Sequence, residues 1–221
     1  MTRFPARHEV PKFGVFASLL RMTTKYGFSD VRDQLVKDIK GAYPTEWEEY
    51  QAAEILGEDV FGSPAPHPNT VLNLFMEQKV RFAIPFAAYR ASLGGFAALM
   101  SGEPGTVLPP HTLASTIHGD GEIRRVMAQA AHTIAYKKNL LTVCPDKTCA
   151  LNVAIKLMGP RMEALTKLHD AMICERKGGL LSAPSLGGLA CAKCITEIES
   201  SHAAWRKTRW AALPTTFSVA K

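Results

Sequence analysis

No run in this chain approaches the roughly 20 consecutive apolar residues that a membrane span requires, so no membrane partner is expected. There is no block of about five or six like charges, the usual mark of an acidic or basic tail. The first ten residues carry charges and a proline where a secretory signal would need an apolar core, and an intracellular location, cytoplasmic or nuclear, is the expectation. Polar and apolar residues never alternate for long, no strand-turn-strand signature is present, and no internal repeat occurs. A sheet-based or solenoid architecture is therefore not expected. Cysteine is scarce at five residues, an odd number. In a reducing compartment such residues serve as thiols or metal ligands rather than as structural disulfides.

What is present is enough for a core. The chain has 221 residues, of which 47% are hydrophobic, the range of one large domain or two small ones. Twenty-six basic residues against 20 acidic ones leave a net charge of +6 and a pI near 9.1. That mild excess allows nucleic acid as a partner without indicating it.

Helical periodicity dominates. Phe13, Phe16, Ala17 and Leu20 share one face, and Val15, Leu19, Met22 and Tyr26 share another. A helix apolar over so much of its circumference is expected to lie sandwiched between neighbours. Gly27 is placed to end it, and Ser29 to N-cap a second helix carrying Val31, Leu35, Val36 and Ile39. Thr45 and Glu48 have the spacing of a capping box for a third, to about Leu56. Residues 57 to 69 hold three prolines and two glycines and read as a loop between subdomains. Helices follow around Val71 to Val80, from Pro85 to Leu93, and over residues 96 to 100 after the Gly94-Gly95 break. A helix from about Pro110 is expected to break at Gly119-Asp-Gly121 and resume. A longer helical segment from Asp146 should kink at Pro160, and residues 178 to 188 form a glycine and serine loop. A last helix, 192 to 212, should stop at Leu213-Pro214. The expected fold is all-α, a multi-helix array or irregular bundle. Its parts are short helices over 1–57, a helical domain over 70–214 and a tail over 215–221.

Two cysteine pairs stand out, Cys144-Pro-Asp-Lys-Thr-Cys149 and, after 41 intervening residues, Cys191-Ala-Lys-Cys194. A structural zinc site wants four soft ligands in a tetrahedron, and two close pairs supply two of its edges. Cys144, Cys149, Cys191 and Cys194 are accordingly the candidate metal ligands, zinc the candidate structural cofactor, and Cys174, His169 or His202 candidate substitutes for one ligand. Cys149 and Cys194 fall in expected first turns of helices, where the dipole and unbonded N–H groups favour a thiolate. The bland alternative is that these are small buried residues. A redox C-x-x-C usually follows a strand, and no strand signal precedes Cys191, which makes a thiol oxidoreductase the weakest alternative.

Other chemistry has no visible home. His111 and His118 stand seven apart with no carboxylate at ligand spacing. Residues 182 to 188 do not form a nucleophile elbow, and Gly94-Gly95 opens no phosphate loop. A non-enzymatic protein is expected. Arg206, Lys207 and Arg209 beside Trp210 offer a basic and aromatic cluster, hence the alternative of a nucleic-acid-associated transcriptional regulator. The simpler expectation is that Trp205 packs in the core behind a solvated rim.

Several stretches also carry a family resemblance. Residues 16 to 35 followed by Tyr43-Pro-Thr-Glu-Trp47, then Phe82-Ala-Ile-Pro-Phe-Ala-Ala-Tyr89, the Cys144 and Cys149 pair, Leu189-Ala-Cys-Ala-Lys-Cys194 and Trp210-Ala-Ala-Leu-Pro214 run in order along nearly the whole chain. This series resembles the helical region that follows the BTB/POZ core in fungal BTB-domain proteins. The resemblance implies a non-enzymatic protein-protein interaction module with protein partners. It also implies that the chain begins after the BTB core, with no mixed α/β segment upstream of Pro11, as a truncated gene product or a degenerate paralogue would. Activities of the core itself are not carried over.

Overall fold

The computed structural model describes residues 12–56, 61, 65–135, 149 and 190–218. Its described elements are eight α-helices with no strand among them: α1 (Phe13–Tyr26), α2 (Ser29–Ala42), α3 (Trp47–Leu56), α4 (Pro68–Glu77), α5 (Ile84–Leu93), α6 (Gly95–Leu99), α7 (Pro110–Ala135) and α8 (Ala192–Thr216). The architecture is all-α, as the periodicity requires. None of the described helices is long and apolar enough to cross a membrane. The expected helix from Asp146 and its kink at Pro160 lie outside the described residues, apart from Cys149.

The chain divides into two compact units, Met1–Ile117 with Phe217–Lys221, and His118–Thr216. In the first, α1 packs on α2, α4 on α5 and α5 on α6. Leu20, Ile39, Leu72, Phe75 and Tyr89 form its centre, with the Tyr43 ring edge-on to Phe75 at 5.0 Å. The stretch from Phe82 to Tyr89 supplies the inner wall, where Ala83, Phe86, Ala87, Ala88 and Tyr89 are all buried. Runs of alanine let neighbouring helices approach closely while Phe86 and Tyr89 carry most of the buried area. Phe217 closes the core against Tyr89.

Local signals explain several helix ends. Gly27 takes φ +72° and donates its N–H to Thr23 O, a left-handed stop that glycine adopts without strain. Gly94 stands between α5 and α6, and Gly95, the first residue of α6, takes φ +74°. Ser29, expected as an N-cap, is instead the first residue of α2, and the cap position is held by Phe28 without a side-chain bond. Helix α4 begins inside the expected loop, at Pro68. Proline at a first helical position lacks only an N–H that would have no helical partner, and His67 Nδ1 accepts from the Asn69 N–H at 3.2 Å.

Two expected breaks do not occur. α7 runs unbroken through Gly119 and Gly121. Glycine costs a helix about 1 kcal/mol relative to alanine, and the Asp120–Arg124 and Glu122–Arg125 pairs, at 2.7 and 2.6 Å, brace the same turn. α8 likewise passes through Pro214. Two residues from the helix end, proline forfeits one terminal bond, and the Thr215 and Thr216 hydroxyls donate to Ala212 O.

The sandwiched first helix is also corrected. Phe16, Ala17, Leu20 and Thr23 are buried, but Val15, Leu19, Met22 and Tyr26 face outward. Ring contacts from half-buried Phe13 and buried Phe16 to Phe61, each with centroids 5.2 Å apart, hold only the inner side.

α1 and α4 are tied by a fork of charge. Arg21 Nε donates to both Glu77 carboxylate oxygens, at 2.9 and 3.0 Å, and Nη2 to Oε2 at 2.7 Å. The Arg21 hydrogen bond holds the Glu77 carboxyl below its ordinary 4.5. Both side chains are about half exposed, so solvent screening limits the pair to about 1 kcal/mol or less. Because the folded carboxyl is the stronger acid, its contribution is complete above the ordinary value and lost as pH falls through the depressed one. Glu77→Gln should therefore cost about 0.5–1 kcal/mol at pH 7 and nothing once the wild-type carboxyl is protonated. Paired urea titrations at neutral and acid pH measure this, and an equal deficit at both would refute the ionic origin.

Candidate metal centre

The centre is built at the start of α8. Cys191 immediately precedes the helix, and its carbonyl accepts from the Ile195 N–H at 3.0 Å, closing the first turn. That turn sets Cys191 and Cys194 three residues apart, the spacing at which helical neighbours share a side. Cys194 is buried, 1% exposed, and begins the inner stripe of α8 that continues through Ile198, His202, Trp210 and Leu213. Cys191 is exposed and Cys149 buried.

Folding brings Cys149 to this turn across the 41 intervening residues. The Cys191 backbone N–H donates to Cys149 Sγ at 3.4 Å. The sulfurs of Cys149, Cys191 and Cys194 all lie within 4.8 Å of one another, with no disulfide among them. A tetrahedral ion with Zn–S bonds of about 2.3 Å needs sulfurs about 3.8 Å apart. The cluster thus comes within about 1 Å of that geometry. An N–H aimed at a sulfur is the outer contact that orients a thiolate and offsets its charge. Among the described residues, three thiols and no carboxylate make a soft donor set, suited to zinc, copper(I) or an iron–sulfur group and ill suited to magnesium or calcium.

Three of the four sequence-derived ligand candidates are therefore together, close enough to hold a metal ion. Cys144 lies outside the described residues, as do Cys174 and His169. His202 does not join the cluster. Eight residues beyond Cys194 on α8, it is about 12 Å further along the axis, and its ring stacks on Trp205 at 6.3 Å.

The remaining candidates are dispersed. His111 and His118 are both at exposed positions of α7. In the basic and aromatic cluster, Trp210 rather than Trp205 is the buried ring. The Arg209 guanidinium lies 6.0 Å from the Trp205 ring centroid. One residue of structural weight escaped sequence reasoning. Asn69 is fully buried, and its Nδ2 donates to Ala98 O, Leu99 O and Thr106 O at 3.1, 3.3 and 3.1 Å. A single amide thereby holds α4 to the end of α6 and the loop beyond it.

No family model, curated protein or solved structure matches the chain.

Proposed function

We propose that the chain is a non-enzymatic protein-protein interaction module, of the kind the post-BTB resemblance implies, whose C-terminal unit is stapled by a structural zinc ion. The observation that carries the proposal is the thiol cluster at the start of α8. Cys149, Cys191 and Cys194 would hold three corners of the tetrahedron. Cys144, five residues before Cys149, would hold the fourth. When bound, the ion supplies cohesion: it binds a distant segment to a helix start and keeps the thiols deprotonated. Four protein ligands leave no open position for a water or substrate, which separates a structural zinc site from a catalytic one.

Elemental analysis of the purified chain should find one zinc per molecule. Replacing Cys191 and Cys194 together should abolish it. Folded protein that carries no metal, with stability indifferent to the replacement, would refute the staple.

A further inference from the structure

Five of the nine exposed large hydrophobic side chains among the described residues are gathered on α1 and the turn after it. Val15, Met22, Tyr26 and Phe28 are 52–58% exposed and Leu19 is 38% exposed. Isolated exposed apolar residues are ordinary, but a contiguous stripe of them marks a contact surface. The spacing is regular as well. Val15, Leu19, Met22 and Tyr26 are separated by four, three and four residues, the repeat of a coiled-coil seam, and fall within an arc of about 60°. The stripe runs about 16 Å, three turns. The Tyr26 and Phe28 rings, 6.3 Å apart, extend it past the helix end.

Charge selects the occupant. α1 contains no carboxylate; its charged residues are Arg21 and Lys25, and Lys12 stands at its start. Lys12 and Lys25 are exposed near the two ends of the stripe, and Lys25 Nζ lies 5.3 Å from the Tyr26 ring centroid. The carboxylate of Glu77 is engaged by Arg21. A second copy would bring the same cations to the seam from a chain of net charge +6, and like charges along a helix pair oppose association.

We infer that the outer face of α1 is a docking seam for an amphipathic helix of a partner protein, apolar at the seam and acidic along its flanks. The inference rests on the interaction-module proposal and supplies its partner class. The partner's apolar seam would cover Leu19 and Met22, while its carboxylates meet Lys12 and Lys25.

The test uses the full chain and two labelled 21-residue helical peptides, both with leucine at seam positions, one with glutamate and the other with lysine at every flanking position. Repulsion between like flanks keeps each peptide from pairing with itself. Fluorescence anisotropy should show the glutamate peptide binding at least tenfold more tightly than the lysine peptide, with the difference shrinking as salt rises. Leu19→Glu with Met22→Glu, both at exposed positions, should weaken that binding at least tenfold while leaving the circular dichroism and zinc content unchanged. Equal binding of the two peptides, no binding of either, or binding that survives the double substitution would overturn the inference. So would a dimer of the chain in sedimentation that the same substitutions dissociate, which would assign the stripe to a second copy. Zinc content separates the two proposals: a chain with one zinc and no peptide binding loses the docking seam alone. Peptide binding without zinc would remove the staple and leave the seam.

Discussion

Cys194→Ala should lower the stability of the C-terminal unit by about 4 kcal/mol and make it indifferent to chelators. The magnitude follows from linkage. The unfolded chain does not present the three sulfurs together, so the metal stabilises only the folded state, by about 4 kcal/mol where its free concentration is about a thousand times the dissociation constant. Without the Cys194 sulfur the site no longer holds the ion, and that stabilisation is lost. Thermal unfolding with and without a zinc chelator separates this from lost packing. The wild-type midpoint should fall on chelation to near that of the variant, and the variant's should stay put. Cys194→Ser, of nearly the same size, should behave like the alanine variant even though it leaves no cavity. If chelator leaves the wild-type midpoint unmoved, the thiols are a packing cluster and the staple is wrong.

The second large effect is expected far from the cysteines. Asn69→Asp replaces the amide that donates to Ala98 O, Leu99 O and Thr106 O with an oxygen that repels all three. Two N–H donors shared among three carbonyls are lost, at about 1 kcal/mol each, and a carboxylate is left in a site with no exposure, so the cost at pH 7 should be about 3–5 kcal/mol. The sign of the pH dependence is distinctive. Burial against carbonyl oxygens raises the folded carboxyl above its unfolded value. The unfolded chain then gives up its proton first, and the variant loses stability as pH rises through the ordinary aspartate range. Asn69→Ala should cost about 2–3 kcal/mol with no such slope. Urea midpoints of the two variants at pH 4 and pH 7 decide the matter, and a flat profile for Asn69→Asp would mean that its carboxylate reaches water.

Both effects depend on groups that sequence reasoning treated very differently. The cysteines were legible because ligand chemistry imposes a spacing: a pair with two or four residues between its members has the spacing of a half-site. Asn69 was not, since one asparagine at a helix start is an ordinary capping or turn residue. Only its three acceptors, 29 to 37 residues away, reveal it as a tie.

The helices show the same division. Apolar residues at helical spacing, Gly27 at a left-handed stop and Gly95 at a bend were determined by the chain itself, because helical periodicity and positive φ are properties of a few adjacent residues. The breaks expected at Gly119 and Pro214 were overruled by the rest of their helices. A local penalty of about 1 kcal/mol for glycine, or one lost bond for a terminal proline, is smaller than what a long packed helix gains by continuing. On α1 the sequence determined that two faces are apolar, and only the tertiary structure decided which of them is covered. Burial depends on where other parts of the fold stand, and Phe61 occupies one side. The meeting of Cys149 with Cys191 and Cys194 is of that second kind: sequence set the thiol chemistry of these residues, and folding across 41 residues brought them together.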